Sequence, residues 1–152
     1  MSDVPKRRLF PPHFLLMAIL AMVALHLALP GRVLLDRPWT FLGFVPFLFG
    51  GVLTVRAARL FDREKTPVRP FEPSTRLVLD GPYRFTRNPM YLGMALGLLG
   101  LGVLLGSLTP FVVPLVFALF IQARFILPEE AMLERLFGAD FAAFKGRVRR
   151  WL

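Results

Sequence analysis

Four stretches of the chain, at 14–29, 39–55, 91–108 and 111–127, are nearly uninterrupted runs of Leu, Val, Ala, Phe, Ile, Met and Gly. Almost every Lys and Arg falls between or beyond them. Apolar runs of this length, bounded by charge, read as transmembrane helices. Each covers roughly 25 Å at 1.5 Å per residue, slightly short for a perpendicular crossing, so extension into the interface or local bilayer thinning is implied. The third and fourth runs are separated only by Gly106-Ser107-Leu108-Thr109-Pro110, which suits a tight helical hairpin. The second carries Trp39 at an interfacial position and Pro46, Gly50 and Gly51 inside, where close packing or a kink is accommodated.

The remaining segments are polar. The loop 56–90 is rich in Pro and charge, with an extended-looking Leu77-Val78-Leu79 before the turn signal Asp80-Gly81-Pro82. In the tail 128–152, apolar residues recur at helical spacing from Glu129 to Phe137. Gly138 then marks a stop, and an apolar-basic stretch ends at Trp151, the pattern of a helix lying on the membrane surface. The expected fold is all-α: one domain over 1–152, a polytopic bundle of about four transmembrane helices whose last two form a hairpin, with a C-terminal interfacial helix.

Composition agrees with a bilayer as solvent, since 55% of the 152 residues are hydrophobic. The net charge of +9 does not form a separate soluble domain but flanks the apolar runs, so anionic lipid headgroups explain it and nucleic acid does not. The absence of cysteine excludes disulfides, thiolate metal sites and cysteine nucleophiles. His13 and His26 both lie in or beside the first run, which leaves no basis for a protein-built metal centre. The basic N-terminus before an apolar run resembles a secretory signal, but Pro-Gly-Arg follows it without a small-x-small cleavage pattern, so it is read as a retained span.

Orientation follows from the cations. Lys6, Arg7 and Arg8 precede the first run; Arg56, Arg59, Arg63, Lys65, Arg69, Arg76, Arg84 and Arg87 fill the middle loop; Lys145, Arg147, Arg149 and Arg150 end the chain. The first loop holds only Arg32 and Arg37, and the hairpin turn none. Both termini and the middle loop are therefore expected on the cytoplasmic side of a bacterial inner membrane or an endomembrane.

Two polar clusters border the spans. GPYRFTRNPMYLG, residues 81–93, brings Tyr83, Arg84, Arg87, Asn88, Pro89 and Tyr91 to the start of the third run. Arginine grips a carboxylate through two parallel hydrogen bonds, a tyrosine ring faces a sulfonium or holds an adenine, and Asn88-Pro89 sets the helix start. The plainer alternative is a positive-inside flank with an aromatic belt. The second cluster is Glu129-Glu130, which the hairpin returns to the same side. Carboxylates hold ribose hydroxyls or an amino group, or accept a proton; the alternative is acids favoured at a helix N-terminus. Within the third run, Gly93/Gly97 and Gly102/Gly106 have small-xxx-small spacing, which points to helix packing. Gly100 and Gly102 alternatively open a gap where a cofactor approaches the backbone.

The order of these pieces resembles the isoprenylcysteine carboxyl methyltransferase and phospholipid methyltransferase group of small integral membrane enzymes. The likeness runs from Leu77 to Trp151 and rests on GPYRFTRNPMYLG, a glycine-rich span, a tight hairpin and PEEAMLERLFGADFAAFKGRVRRWL. It implies a methyltransferase that uses S-adenosylmethionine, with Arg87, Asn88, Pro89, Tyr91, Glu129 and Glu130 in the cofactor pocket. The eukaryotic isoprenylcysteine enzymes usually have His where this chain has Asn88, a departure that bears on the acceptor. Tyr83, Gly100 and Gly102 are added as cofactor-facing candidates, and Arg84 and Glu129 as catalytic ones. Arg84 or Arg87 would orient a carboxylate acceptor, and Glu129 or Glu130 would serve an amine. Membrane lipids and a lipid-like or prenylated substrate are the implied partners. Two other classes fit parts of the pattern: a noncatalytic membrane scaffold, and a sterol-reductase-like enzyme using a nicotinamide cofactor, for whose bundle the chain is short.

Overall fold

The computed structural model describes residues 9–65 and 75–152; the expected basic cluster at Lys6, Arg7 and Arg8, and Arg69 of the middle loop, lie outside them. Five helices follow one another: α1 (Pro11–Ala28), α2 (Phe44–Arg63, entered through a 3-10 turn at Trp39–Gly43), α3 (Pro89–Leu105), α4 (Val112–Ile121) and α5 (Leu127–Arg147). Among the described residues there is no strand beyond an isolated Val33–Ser107 bridge, so Leu77–Leu79 is coil. Three helical stretches among the described residues are long and apolar enough to cross a membrane, and the 17-residue α3 is an apolar helix just below that length.

The surface of the bundle, unlike that of a soluble protein, is apolar. Leu16, Leu20, Val45, Leu48, Phe49, Val52, Leu115, Val116 and Leu119 all stand exposed around the bundle, as an apolar belt facing lipid does. The interior is a compact cluster of Met22, Tyr91, Leu98, Phe117, Ile121, Phe125 and Ile126.

The most extensive helix contact joins α2 to α3. Gly43 lies against Gly100 and Gly50 against Gly93, and a methyl group at any of these four would meet the opposite backbone at under 3.0 Å. Glycine is demanded there because the two backbones touch. The spacing is seven residues on each helix, not the four of Gly93/Gly97 and Gly102/Gly106. Gly102 packs on the Phe111 ring instead, so neither Gly100 nor Gly102 offers an open approach to the backbone.

At the hairpin, α3 ends on Gly106 with φ 71°, in the left-handed region, and its carbonyl accepts the backbone N–H groups of Leu34 and Leu35 at 2.8 and 3.2 Å. Ser107 Oγ pairs with His26 Nδ1 at 2.8 Å, tying α1 to the turn.

Two boundaries differ from the sequence expectation. α2 continues eight residues past 55, carrying Arg56, Arg59 and Arg63 on a helix rather than in a loop. Pro128 does not begin a separate surface helix: α4 passes through a π-turn at Gln122–Ile126 directly into α5. Pro128 has no N–H for the carbonyl four residues back, and the wider turn before it absorbs that missing bond. The helical path Thr109–Arg147 has 39 residues with a break at Gly138, and its acidic and basic residues from Glu129 onward follow the apolar part. Gly138, at φ 47° and ψ −116°, leaves the helical region and divides α5 where the sequence marks a stop, and the segment after it packs Phe141 and Phe144 on Ala57, Val78 and Tyr83.

Candidate active site at the α3–α5 junction

The start of α3, the acidic start of α5 and the extended C-terminus meet at one end of the bundle. Val148 leaves the helix with extended backbone, and the last residues lie across 86–88. The Arg87 N–H donates to the Arg149 carbonyl at 2.9 Å, while the Thr86 hydroxyl and Asn88 Nδ2 both donate to the Arg150 carbonyl at 3.1 and 3.0 Å. Trp151 Nε1 donates to Gln122 Oε1 at 2.7 Å, anchoring the strap to the π-turn.

Beneath the strap, Glu130 sits between two guanidinium groups. Arg87 donates from Nη2 and Nε to Glu130 Oε1 at 2.9 and 3.2 Å, and Arg150 donates from Nη2 to Oε2 at 2.8 Å and from Nε to Oε1 at 3.1 Å. Arg87 Nη1 also donates to the carbonyls of Val148 and Lys145 at 2.7 and 3.3 Å. The Arg87 and Glu130 side chains are only 10% and 9% exposed, so the pair is a buried one. Burial pushes the Glu130 carboxyl up, but hydrogen bonds and charge from Arg150 and Arg87 outweigh it and hold the group below the ordinary carboxylate range.

Glu129 has another environment, because adjacent helix residues point about 100° apart. It turns to α3, where the Tyr91 hydroxyl donates to Oε1 at 2.8 Å and the Tyr91 ring packs on Phe125. It lies just past the apolar part of the last span. Burial pushes its carboxyl up to about 7, with the Tyr91 hydrogen bond pulling the other way. Tyr83 is buried one step away against Phe61; burial and the Glu129 charge both raise its hydroxyl pKa. The two acids thus divide: one held as a carboxylate, the other poised near neutrality.

An acid raised towards neutrality and an Arg–Glu–Arg group centred on a buried Glu130 thus lie together at one end of apolar helices, a combination that marks a candidate site. The profile of a family described as phospholipid methyltransferase matches residues 38–140. The chain belongs to the phospholipid methyltransferase family. The methyltransferase profile spans α2, α3, α4 and both glutamates, so it agrees with the likeness drawn from GPYRFTRNPMYLG and the paired acids. No curated protein and no solved structure matches the chain. Membership implies a membrane methyltransferase.

Of the residues singled out by sequence, this methyltransferase brings Arg87, Asn88, Tyr91, Glu129 and Glu130 together, with Pro89 buried at the start of α3 and Tyr83 behind Glu129. Arg84 is not brought to them: it is 70% exposed and paired with Asp80 at 2.9 Å. Gly100 lies down the α2–α3 contact and Gly102 against Phe111. Sequence reasoning missed Arg150, Trp151, Gln122 and Thr86. One signal was available: a glutamate expected inside the protein calls for cations, and the tail ending Arg149-Arg150-Trp151 supplies them.

Proposed function

We propose that the protein transfers a methyl group from S-adenosylmethionine to the amine of a phospholipid headgroup at the cytoplasmic surface of its membrane, with Glu129 as the proton acceptor. The observation that carries this reading is the unequal pair, Glu130 locked between Arg87 and Arg150 and Glu129 hydrogen-bonded by Tyr91, in a chain of this family. The residues suit the cofactor: carboxylates for an ammonium and ribose hydroxyls, and aromatic rings for an adenine or sulfonium. When bound, S-adenosylmethionine supplies a methyl carbon made electrophilic by its sulfonium, and the sulfur keeps the bonding pair as a thioether.

The chain's own contribution is then positional and acid–base. An ammonium acceptor has no lone pair until it loses a proton, and the Glu129 carboxylate takes that proton, freeing the nitrogen pair for attack. Tyr91 orients Glu129 through its hydroxyl. Arg87 and Arg150, by holding Glu130, fix the strap over the site and keep the starts of α3 and α5 in register, which lowers the entropic part of the barrier. An amine is favoured over an isoprenylcysteine carboxylate because the arginines expected to grip a carboxylate are engaged elsewhere, Arg84 on Asp80 and Arg87 on Glu130.

The test uses the purified protein in nanodiscs containing phosphatidylethanolamine. Saturable binding of S-adenosylhomocysteine without binding of nicotinamide dinucleotides, together with transfer of labelled methyl to the phosphatidylethanolamine fraction, is expected. Absence of S-adenosylhomocysteine binding would support a scaffold, and dinucleotide binding a reductase.

A further inference from the structure

One helical turn along α3 from Tyr91, a groove of about 260 Å³ runs between α1, α2 and α3. Leu15 and Ile19 form one wall, Phe47 and Val55 the second, Met94 and Leu98 the third, and no polar surface lines it. Thr54 sits at its edge, but its hydroxyl donates to the carbonyls of Gly50 and Met90 at 2.9 and 3.2 Å and is satisfied within the protein.

Two further glycines, Gly51 and Gly97, line this groove. They differ in kind from the four that let α2 touch α3. A methyl group added at Gly51 or Gly97 meets nothing within 4 Å, whereas at Gly43, Gly50, Gly93 or Gly100 it collides with backbone. Helix packing therefore explains the four and not these two. A glycine in a helix interior is a poor helix former, so two of them facing open space at one groove call for a reason outside the protein's own packing.

The groove has the size and the access for one occupant. An apolar cavity near 150 Å³ takes a benzene ring, while pockets for drug-sized molecules begin at roughly 300 Å³. A volume of about 260 Å³ accommodates a slender aliphatic segment. Its mouth is formed where Val55 and Phe47 are 48% and 39% exposed in the apolar belt, so it opens to hydrocarbon and not to water. Gly93 and Met94, two and three residues from Tyr91, also line it.

Building on the proposed lipid acceptor, we infer that this groove holds a single hydrocarbon chain of that acceptor and that Gly51 and Gly97 set its bore. A chain seated there leaves its headgroup end beside Tyr91 and Glu129, so the groove places the acceptor amine lengthwise while the polar site handles the proton.

The experiment takes the full chain in phosphatidylcholine nanodiscs doped with phosphatidylethanolamine carrying a mid-chain diazirine, and maps photo-adducts in wild type, Gly51→Leu, Gly97→Leu and Gly97→Ala. Adducts are expected to concentrate on Val55, Met94 and Leu98. They should fall at least tenfold in each Leu variant and by less in Gly97→Ala, which adds one carbon to open space. Thermal midpoints of the variants should match or exceed wild type, S-adenosylhomocysteine affinity should be unchanged, and methyl transfer to long-chain phosphatidylethanolamine should drop at least tenfold. The short-chain dihexanoyl lipid should be affected far less. Adducts spread evenly around the belt, or undiminished in both Leu variants, would overturn the groove. Adducts confined to the groove in a protein that fails to bind S-adenosylhomocysteine would instead overturn the methyltransferase reading, and with it the acceptor's identity, leaving the chain site in place.

Discussion

The α2–α3 contact and the α3–α5 junction are both closely packed, yet they are held by opposite means. Between α2 and α3 the backbones touch because Gly43, Gly50, Gly93 and Gly100 carry no side chain at the seam. At the junction, large charged side chains fill the space, and each hydrogen bond of Arg87 and Arg150 compensates a desolvated group on Glu130 or the strap. The first fails when anything is added; the second fails when anything is taken away. Steric contact has no tolerance for volume, whereas a buried charge has none for the loss of its partner.

The largest effect should therefore come from adding volume at the seam. Gly100→Leu places a branched side chain against the Gly43 carbonyl and the Phe47 backbone, and we expect a loss above about 5 kcal/mol, enough to prevent a monodisperse folded protein by size-exclusion chromatography. A folded Gly100→Leu would erase the contrast.

Taking away a partner at the junction comes next. Arg87→Met removes two bonds to Glu130 and two to the carbonyls of Lys145 and Val148, and breaking a buried pair from one side should cost about 3–5 kcal/mol, read as a lowered denaturation midpoint with lost methyl transfer. The exposed pair is the internal control: Arg84→Ala should change stability by less than about 1 kcal/mol.

Glu129→Gln sharpens the comparison within the junction itself. The folded carboxyl titrates at about 7, above its ordinary 4.5, so between those values the folded state binds a proton the unfolded chain has released. The stability associated with the protonated acid is full below about 4.5 and is lost as pH rises towards 7. Glu130, held low, contributes oppositely: its stabilisation is present above the ordinary carboxylate range and is lost as acid protonates it. Glutamine at 129 should flatten the decline of the thermal midpoint between pH 4.5 and 7, abolish the rise of methyl transfer near pH 7, and lower the rate roughly 100-fold. An unchanged pH–rate profile would remove Glu129 from the role of base.

The smallest effect is expected at the strap's anchor. Trp151→Phe keeps the ring packing and loses the bond to Gln122, which should cost about 1 kcal/mol and raise the rate of amide hydrogen exchange at residues 148–151 with little change elsewhere.

The sequence alone determined the solvent, the helical class and which end of the bundle carries charge, because these follow from runs of apolar residues and the placement of Lys and Arg, quantities additive along the chain. Motif order likewise marked Arg87, Tyr91 and the glutamate pair before any packing was known. Only the tertiary structure decided which glycines meet which helix, since Gly93/Gly97 and Gly93/Gly100 are equally plausible until α2 is laid against α3. It also decided that α4 runs through a π-turn into α5, that Arg84 turns outward to Asp80, and that Arg150 and Trp151 fold back over 86–88. Residues 87, 130 and 150 are far apart in sequence, and no local pattern records their meeting. The division of labour between Glu129 and Glu130 is of the same kind: two identical neighbours acquire different proton affinities only when the helix they share turns one to a tyrosine and the other to two arginines.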